Sequence, residues 1–314
     1  MPHAIEYDRF GGPEVLEFRE IPYAVAGPGQ AVVEVRAAGV NPIEWKLRAR
    51  LRPSGEITAP RRLGTDASGV ITEVGSGVEA WSVGDEVIVV GARGAYASEL
   101  AADASQLIPK PEALSFEQGA ALGVPAGTAH QVLASLGVAE GDTLLWHGGA
   151  GAVGQAAIQF ARRLGAEVVA TASERNHAHL RELGAVPVVY GAGLADRVRA
   201  AAPQGVTVAV DGVGTDEAIE VSKQLVADPD RIGTIVRGAE ADGFGIRYWS
   251  GGGPEPLTAA EQALRFEGVA LAAELAARGE FVIEIAHRYP LADAAEAHRQ
   301  SQTGHVRGKI VLIP

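Results

Sequence analysis

The pattern of apolar and polar positions changes near residue 120, where alternating segments give way to continuous apolar ones. Before this point, segments 30–40, 67–78 and 84–92 alternate apolar and polar residues between Gly and Pro turns. Alternation with a period of two is typical of half-buried antiparallel strands. The run 74–89 predicts a strand, a turn and a second strand. The first part of the chain is therefore predicted to form a β-rich barrel or rolled sheet.

After residue 120, short apolar segments alternate with segments of helical spacing. In the first such helix Val153, Ala157 and Leu164 recur at helical intervals, and Gly165 can end it. Strands that alternate with helices in this way predict a parallel, doubly wound sheet. The predicted strands are 143–147, 167–172, 186–190, 206–211 and 231–236, and the last of these is predicted to be an edge strand.

Two later segments complete the pattern. The tail 308–314, GKIVLIP, is an isolated apolar strand, which we expect to return to the first domain. The segment 250–256, SGGGPEP, is rich in Gly and Pro and is predicted to be the most flexible part of the chain.

A glycine-rich turn joins the strand 143–147 to the helix that follows it. Gly149, Gly151 and Gly154 fit G-x-G-x-x-G, although Gly148, Gly151 and Gly154 would also serve. Such a turn lets the backbone approach a pyrophosphate, and the helix N-terminus then offers it free N–H groups. The alternative is a tight turn without a ligand. The residues predicted to bind a dinucleotide here are Gly148, Gly149, Gly151, Ala152, Val153 and Gly154.

The end of the second strand distinguishes the two nicotinamide dinucleotides. NAD-binding folds usually place an acidic residue there, which binds the ribose 2′-hydroxyl. This chain instead has Ser173, followed by Arg175 and Asn176. A hydroxyl and a guanidinium can bind a 2′-phosphate that a carboxylate would repel. NADPH is therefore favoured over NADH. The alternative roles are a helix cap for Ser173 and a solvated position on a helix for Arg175.

Composition limits the function classes. The chain has 314 residues, 47% of them hydrophobic and 21% charged, which suits a two-domain globular protein. A net charge of −12 argues against nucleic acid or an anionic membrane as the main partner. The absence of cysteine excludes disulfides, thiolate nucleophiles and cysteine-ligated zinc. The first ten residues carry charges and no apolar run, so we expect a cytoplasmic protein.

Several motifs in this order resemble one family, the zinc-independent medium-chain dehydrogenase/reductases of the quinone oxidoreductase (zeta-crystallin-like) group. The resemblance implies an α/β protein with a GroES-like β-rich domain, 1–122 and 283–314, and an inserted Rossmann domain, 123–282. It also implies a cofactor in the cleft and a homodimer. The segments that carry the resemblance are 37–48, 63–87, 123–133, 141–166, TASERN, VDGVG at 210–214 and GHVRGKIVL at 304–312.

The resemblance also implies roles for individual residues. Asn41 and Thr128 match positions near the nicotinamide and the substrate. Thr65 stands where zinc-dependent relatives carry a metal-binding histidine. The positions that the resemblance places beside the cofactor are Tyr190 at the 2′-phosphate, Val213 and Gly214 at the ribose, and Lys309 in the C-terminal GK.

No metal site is predicted. The segment 64–69, GTDASG, stands where zinc-dependent relatives have a glycine-histidine-glutamate pattern, and the eight histidines do not cluster at ligand spacing. His147 is predicted to be a partly buried structural residue and His130 a packing residue. The histidines predicted to lie on the surface are His177, His179, His298 and His305.

Without a Lewis acid, hydride transfer to a quinone or an α,β-unsaturated carbonyl is the favoured reaction, because charge delocalises onto oxygen and positioning suffices. Tyr96 is a possible proton donor. One competing reaction is enoyl-thioester reduction, for which a basic run would serve, although a solvated loop is the simpler reading of that run. The other alternative is a non-catalytic NADPH-binding protein. The basic run consists of Arg48, Arg50, Arg52, Arg61 and Arg62.

Overall fold

The computed structural model describes residues 1–249 and 256–314, so the predicted flexible segment, apart from Pro256, lies outside the described residues. The chain forms two compact units. The first consists of Met1–Val124 and Val269–Pro314, and the second of Pro125–Gly268. Both boundaries fall inside helices, whereas the sequence placed them at 122–123 and 282–283. A continuous helix shows no change of composition at which a boundary could be located.

The first unit begins with eight strands and one helix, in the β-rich region that alternation predicts. In chain order they are β1 (His3–Tyr7), β2 (Glu17–Glu20), β3 (Gln30–Val40), α1 (Pro42–Arg48), β4 (Arg61–Arg62), β5 (Asp66–Val74), β6 (Glu86–Val90), β7 (Glu99–Asp103) and β8 (Leu107–Pro109). The longest of them, β3, pairs antiparallel with β5 and with β7, and β5 pairs with β6. The predicted strand, turn and strand at 74–89 are found with a longer connection, because β5 ends at Val74 and β6 begins at Glu86.

Helix α2 (Phe116–Ser135) leads into the second unit and contains Pro125. The second unit continues with β9 (Thr143–His147), α3 (Ala152–Arg163), β10 (Glu167–Thr171), α4 (His177–Glu182), β11 (Val186–Val188), α5 (Leu194–Ala201), β12 (Val208–Asp211), α6 (Asp216–Leu225), β13 (Ile232–Thr234), α7 (Ala241–Phe244), β14 (Arg247–Tyr248) and α8 (Ala259–Ala277).

The strands of the second unit form one parallel sheet in the order β11-β10-β9-β12-β13-β14. In this doubly wound order, β10 and β11 are added on one side of β9 and the later strands on its other side. The order confirms the predicted Rossmann sheet. Leu145, Val169, Ala209 and Ile232 from four neighbouring strands are buried in its core. The functional consequence is positional, because the loops after β9, β10 and β12 leave the same edge of the sheet.

One strand prediction for this sheet is wrong. The segment 231–236 was expected at an edge, but β13 lies between β12 and β14. The true edge strand β14 has only two residues, Arg247 and Tyr248, too few to show an apolar run in the sequence. Strand β11 also ends at Val188, two residues before Tyr190.

The chain returns to the first unit with β15 (Ile285–Pro290), α9 (Ala294–Gln302) and β16 (Lys309–Ile313). Strand β16 pairs with β15 and with β3, completing a seven-stranded sheet, so the predicted return of the tail is confirmed. A second sheet of this unit has the order β2-β1-β4. Among the described residues, no helix is long and apolar enough to span a membrane.

Candidate active site

Three strand ends bring the predicted residues of the first unit together. Strand β3 ends just before Asn41, and its Gly39 pairs with Asp66, the first residue of β5. On the other side, Val40 pairs with Ile310, the neighbour of Lys309 in β16. The side chains of Asn41, Asp66 and Lys309 meet here although 268 positions separate the first from the last. We call the group formed by Asn41, Glu44, Thr65, Asp66, Tyr96 and Lys309 the buried polar cluster.

Asn41 contacts four other members of this cluster through its side chain and is only 2% exposed. Its Oδ1 accepts a hydrogen bond from Lys309 Nζ at 2.5 Å. Its Nδ2 lies 3.0 Å from Asp66 Oδ2, 3.2 Å from Glu44 Oε1 and 3.3 Å from Thr65 Oγ1. The lysine contact fixes which end of the amide is the acceptor, so the side chain of Asn41 orients its neighbours from a buried position.

Asp66 and Lys309 form a buried ion pair, with Lys309 Nζ 3.1 Å from Asp66 Oδ2. The same oxygen accepts a hydrogen bond from the backbone N–H of Val124 at 3.0 Å. The chain passes so close that a Cβ on Gly123 would lie 2.2 Å from Asp66 Oδ1. Because a charge buried without its partner is strongly unfavourable, each member of the pair holds the other in place.

Glu44 is the second buried carboxylate of the cluster, and no cation of the described residues lies within salt-bridge distance of it. It is the third residue of α1, and its Oε2 reaches back to the backbone N–H of Asn41 at 2.5 Å, as in a capping box. Burial raises the pKa of Glu44 to about 7. The hydrogen bonds from Asn41 and Tyr96 and the charge of Lys309 oppose that rise, and Asp66 adds to it.

Tyr96 and His298 extend the cluster inward. The hydroxyl of Tyr96 donates to Glu44 Oε2 at 2.7 Å and lies 3.3 Å from His298 Nε2. Both side chains are fully buried, so the prediction that His298 is a surface residue is wrong. Helix α9 packs against α1, an arrangement that the sequence around residue 298 does not show. Burial, and then the charge of Arg48, lower the pKa of His298 to about 3, so this imidazole is neutral.

The basic run is not a solvated loop throughout. Arg48 is fully buried, and its Nη1 donates to the carbonyl of Gly11 at 2.7 Å. Arg50 pairs with Glu56, and Arg62 pairs with Glu6. Arg61 donates to Ser54 Oγ at 2.6 Å and to backbone carbonyls of the same loop. The solvated reading is therefore wrong for Arg48, which lies on the inner side of α1.

The glycine turn of the second unit, residues 148–154, has no room for side chains at three of its glycines. Gly148 has a φ of +87°, which an L side chain rarely adopts. A Cβ on Gly149 would lie 2.7 Å from Ala170 Cβ, and one on Gly154 would lie 2.5 Å from the carbonyl oxygen of Gly148. At Gly151, in contrast, a Cβ would meet only that oxygen, at 3.6 Å. Gly151 is thus the open position of the turn in either register.

The loop after β10 contains the residues predicted to distinguish the cofactor. Asn176 Nδ2 donates to Ser173 Oγ at 3.1 Å, so these two side chains lie together. Arg175 is exposed, and no hydrogen bond or ion pair of its guanidinium is found within residues 1–249 and 256–314. The glycine turn is tied to the same strand end, because Gly148 N–H donates to Thr171 Oγ1 at 3.1 Å.

Asp211 shapes the third loop at this edge. At the end of β12, its Oδ1 accepts from the backbone N–H groups of Val213 at 2.9 Å and Gly214 at 2.7 Å. Its Oδ2 accepts from the hydroxyl of Thr234 at 2.8 Å. A Cβ on Gly148 would lie 2.6 Å from Val213 Cγ1, so the predicted ribose loop lies directly beside the glycine turn.

The remaining predicted residues of the second unit have separate surroundings. Thr128 is buried in α2. Tyr190 is 52% exposed, in a loop whose carbonyls at Val189 and Gly191 accept from Arg197. His130 packs on Phe160 and its Nδ1 lies 2.9 Å from the carbonyl of Leu264, in agreement with a packing role.

His147 is fully buried rather than partly so, and its Nε2 lies 3.2 Å from Ser222 Oγ. Burial lowers its pKa to about 4 against the opposing charges of Asp211 and Glu217. Among the described residues, no group of three or more His, Asp or Glu side chains is arranged to hold a metal ion.

Comparison with known proteins supplies the family. An alcohol dehydrogenase GroES-like domain model matches residues 27–112, and a zinc-binding dehydrogenase model matches residues 183–312. The quinone oxidoreductase of Pseudomonas aeruginosa is 32% identical over 100% of both chains. The chain belongs to the quinone oxidoreductase family of the medium-chain dehydrogenase/reductases. It is accordingly an oxidoreductase.

Solved structures of quinone oxidoreductases agree with this assignment. The protein from Coxiella burnetii has a TM-score of 0.83 and 33% identity, over 100% of this chain and 99% of that one. The Escherichia coli quinone oxidoreductase, solved in complex with NADPH, has a TM-score of 0.86 and 27% identity, over 99% of this chain and 100% of that one.

Sequence reasoning missed three buried acidic residues next to the predicted positions of the two units. Glu44 was detectable, because an N-cap Asn followed three residues later by Glu is a capping-box signal. Asp66 was noted only as part of GTDASG, and its partner Lys309 is too distant in sequence to be inferred. Asp211, which ends an apolar strand, had the signal of a buried charge at the carboxyl edge of a parallel sheet, where ligands commonly bind.

Proposed function

We propose that this oxidoreductase transfers hydride from NADPH to a quinone, and that it does so without zinc. The observation that carries the choice of cofactor is the loop after β10. It presents Ser173 and an exposed Arg175 where an NAD-binding loop presents a carboxylate. A guanidinium without another partner in the described chain is suited to a 2′-phosphate. The family, and the NADPH in the Escherichia coli relative, support the same choice.

The second unit has features that fit such a dinucleotide. The backbone of the glycine turn is bare at Gly151, and the N–H groups of Ala152 and Val153 lie in the first turn of α3, which has no acceptor for them within the helix. These groups would hold the pyrophosphate. The residues that we assign to the rest of the cofactor are Ser173, Arg175, Asn176 and Tyr190 at the adenosine end, Val213 and Gly214 at the ribose, and Thr128 and Lys309 toward the nicotinamide.

The polar cluster of the first unit supplies the other part of the chemistry. NADPH, when bound, supplies a hydride, and a reduced quinone carries negative charge on oxygen. Hydrogen-bond donors that are already oriented stabilise such a charge without reorganising. Thr65 is the partly exposed hydroxyl of the cluster, and the contacts of Asn41 and Glu44 hold it in place. Zinc independence is proposed because the chain has no cysteine and Thr65 replaces a ligating histidine.

The proposal is tested by NADPH oxidation with 9,10-phenanthrenequinone, 1,4-benzoquinone and a simple enone as separate acceptors. We expect turnover with the quinones, faster with NADPH than with NADH, in protein that metal analysis shows to be free of zinc. Turnover of the enone would extend the substrate class to α,β-unsaturated carbonyls. Tight NADPH binding without turnover of any acceptor would contradict the proposal, and stoichiometric zinc would contradict its metal-free chemistry.

Enoyl-thioester reduction is less well supported, because the basic run that would bind a thioester carrier is largely engaged. Arg48 is buried, and Arg50 and Arg62 are paired with carboxylates.

We further propose a cytoplasmic homodimer, as the family resemblance implies. The parallel sheet has two edge strands, β11 and β14, and we propose pairing at β14, beside β13. Light scattering measures the resulting mass.

A further inference from the structure

The carboxyl group of Glu44 joins two different polar surroundings through its two oxygens. Oε1 lies 3.4 Å from the hydroxyl of Thr65, and Oε2 lies 2.7 Å from the hydroxyl of Tyr96. Tyr96 and Glu44 are buried, whereas Thr65 is partly exposed. The carboxyl group therefore contacts one partly exposed hydroxyl, that of Thr65, and its inner hydrogen bonds from Asn41 and Tyr96 fix its orientation.

We propose that Glu44 stores the proton that completes the reduction and delivers it through the hydroxyl of Thr65 to the substrate oxygen, while Tyr96 positions the carboxyl group. This inference rests on the proposed function. Hydride adds to the quinone, and one oxygen becomes an anion. Thr65 donates its hydroxyl proton to that oxygen and takes the proton of Glu44. The products are the hydroquinone and the Glu44 carboxylate, which regains a proton from water by the same route after product release.

The arrangement suits a proton store because the groups facing Glu44 do not form a salt bridge with it. From its own helix it has the backbone N–H of Asn41, from the residues around β5 it has Thr65 and Asp66, and Tyr96 closes the inner side. Lys309 on β16 is committed to Asp66 and Asn41. His298 on α9 lies beside Tyr96, and its nearby charge is that of Arg48.

A neighbouring cation would favour the ionised form of Glu44, and Asp66 differs from Glu44 in having such a neighbour, because Lys309 Nζ lies 3.1 Å from its Oδ2. Burial instead brings the pKa of Glu44 to about 7, where the acid form and the carboxylate are both accessible. Tyr96, whose pKa burial and the charge of Glu44 raise well above 10, stays protonated and remains a donor to the carboxyl group.

The kinetic test uses Glu44→Gln, which keeps the size and an acceptor oxygen but has no acidic proton to deliver. We expect kcat with 9,10-phenanthrenequinone to fall by about 10²- to 10⁴-fold, the usual contribution of general acid catalysis. The quinone KM and the affinity for NADPH should change little. The decline of kcat on the alkaline side of pH 7 should disappear. Glu79→Gln, at an exposed position of the same unit, is the matched control and should leave the profile unchanged.

Two further variants separate delivery from positioning. Thr65→Val should lower kcat as Glu44→Gln does, and Thr65→Ser should restore most of it because the hydroxyl returns. Tyr96→Phe removes a hydrogen bond that lowers the pKa of Glu44, so the alkaline limb of kcat should move to higher pH. A purely structural role for Tyr96 would lower activity without moving that limb.

Infrared titration of the protein without cofactor gives a readout independent of turnover. We expect the C=O stretch of a buried carboxylic acid, lost with a midpoint near pH 7 and missing from Glu44→Gln. An active wild type with an equally active Glu44→Gln variant, or without this band, would overturn the proton store alone. A wild type that reduces no acceptor would overturn the proposed function, and the proton store with it.

Discussion

The candidate site residues of the two units are held in opposite ways. In the buried polar cluster of the first unit, Asn41, Asp66 and Lys309 hydrogen-bond to one another and are almost inaccessible. In the second unit, the glycine turn and the loop after β10 leave their binding groups open, with bare backbone at Gly151 and an exposed guanidinium at Arg175. A region that orients reacting groups needs rigid internal contacts, whereas a region that binds a ligand must keep contacts free.

This difference predicts how mutations divide between stability and function. Removing a member of the polar cluster leaves a buried partner unpaired, so the unfolding free energy falls. Removing an open binding group leaves nothing unpaired in the protein, so only ligand affinity falls.

The largest effect should come from Lys309→Met. It leaves Asp66 without its cation and Asn41 Oδ1 without its donor, and breaking a buried pair costs about 3–5 kcal/mol of unfolding free energy. Urea unfolding followed by circular dichroism measures it. Lys223→Met is the matched control, because this exposed lysine donates to the carbonyl of Phe244, and it should cost about 0.5 kcal/mol or less. Equal losses of unfolding free energy in the two variants would show that the buried ion pair stabilises the fold no more than an exposed lysine does.

The parts of this comparison that the sequence predicted are those encoded by local patterns. The glycine turn lies within seven consecutive residues, and the strand and helix around it show their own periodicities, so the fold could be inferred and the turn could be proposed as a phosphate site. The contacts of Lys309 with Asn41 and Asp66 depend on three strands pairing in register across 268 positions. No local pattern contains that information.

Buried charges were the hardest to predict for the same reason. Arg48 and His298 stand among polar neighbours in the sequence and were assigned to the surface, yet the packing of α9 against α1 buries both. The edge strand was misplaced because β14 has two residues and no hydrophobic signature. For Arg48 and His298 the deciding contact is made by an element distant in the chain, whereas β14 follows β13 closely and escapes prediction because it is short.

The contribution of Glu44 to the unfolding free energy should depend on pH, and comparison with Glu44→Gln measures that dependence. The pKa of Glu44 rises from 4.5 to about 7 on folding, so its protonation stabilises the folded state below pH 4.5, and this contribution is lost as pH rises through 7. The loss corresponds to about 3 kcal/mol. The unfolding free energy of wild type should therefore fall relative to that of Glu44→Gln as the pH rises from 4.5 to 7.

His147 and His298 have the opposite pH dependence. Their pKa values are lowered from 6.5 to about 4 and about 3, so they stabilise the fold above pH 6.5, and this contribution is lost as pH falls. Both are present in wild type and variant, so their terms cancel in the difference. A difference that is constant from pH 4.5 to 8 would show that Glu44 is an ordinary carboxylate.

Arg175→Ala tests the exposed residues of the second unit. The loss of a charge-assisted contact with the 2′-phosphate should cost about 1.5–3 kcal/mol, which raises the KM for NADPH by about 10- to 150-fold. The KM for NADH should stay nearly constant, because NADH has no 2′-phosphate, and the unfolding free energy should change by about 0.5 kcal/mol or less. Equal effects on the two cofactors would show that Arg175 does not contact the phosphate.

The smallest expected effect on stability, and the sharpest contrast within one turn, comes from Gly151→Ala beside Gly154→Ala. A methyl group at position 154 meets the backbone of Gly148 and Gly149 at 2.5 and 2.7 Å, and such overpacking costs about 1–3 kcal/mol. At position 151 the nearest atom is 3.6 Å away, so the fold should be unaffected. Calorimetric titration with NADPH should nevertheless show weaker binding to Gly151→Ala, because the methyl group occupies the open face of the turn. Undiminished affinity in this variant would place the pyrophosphate elsewhere.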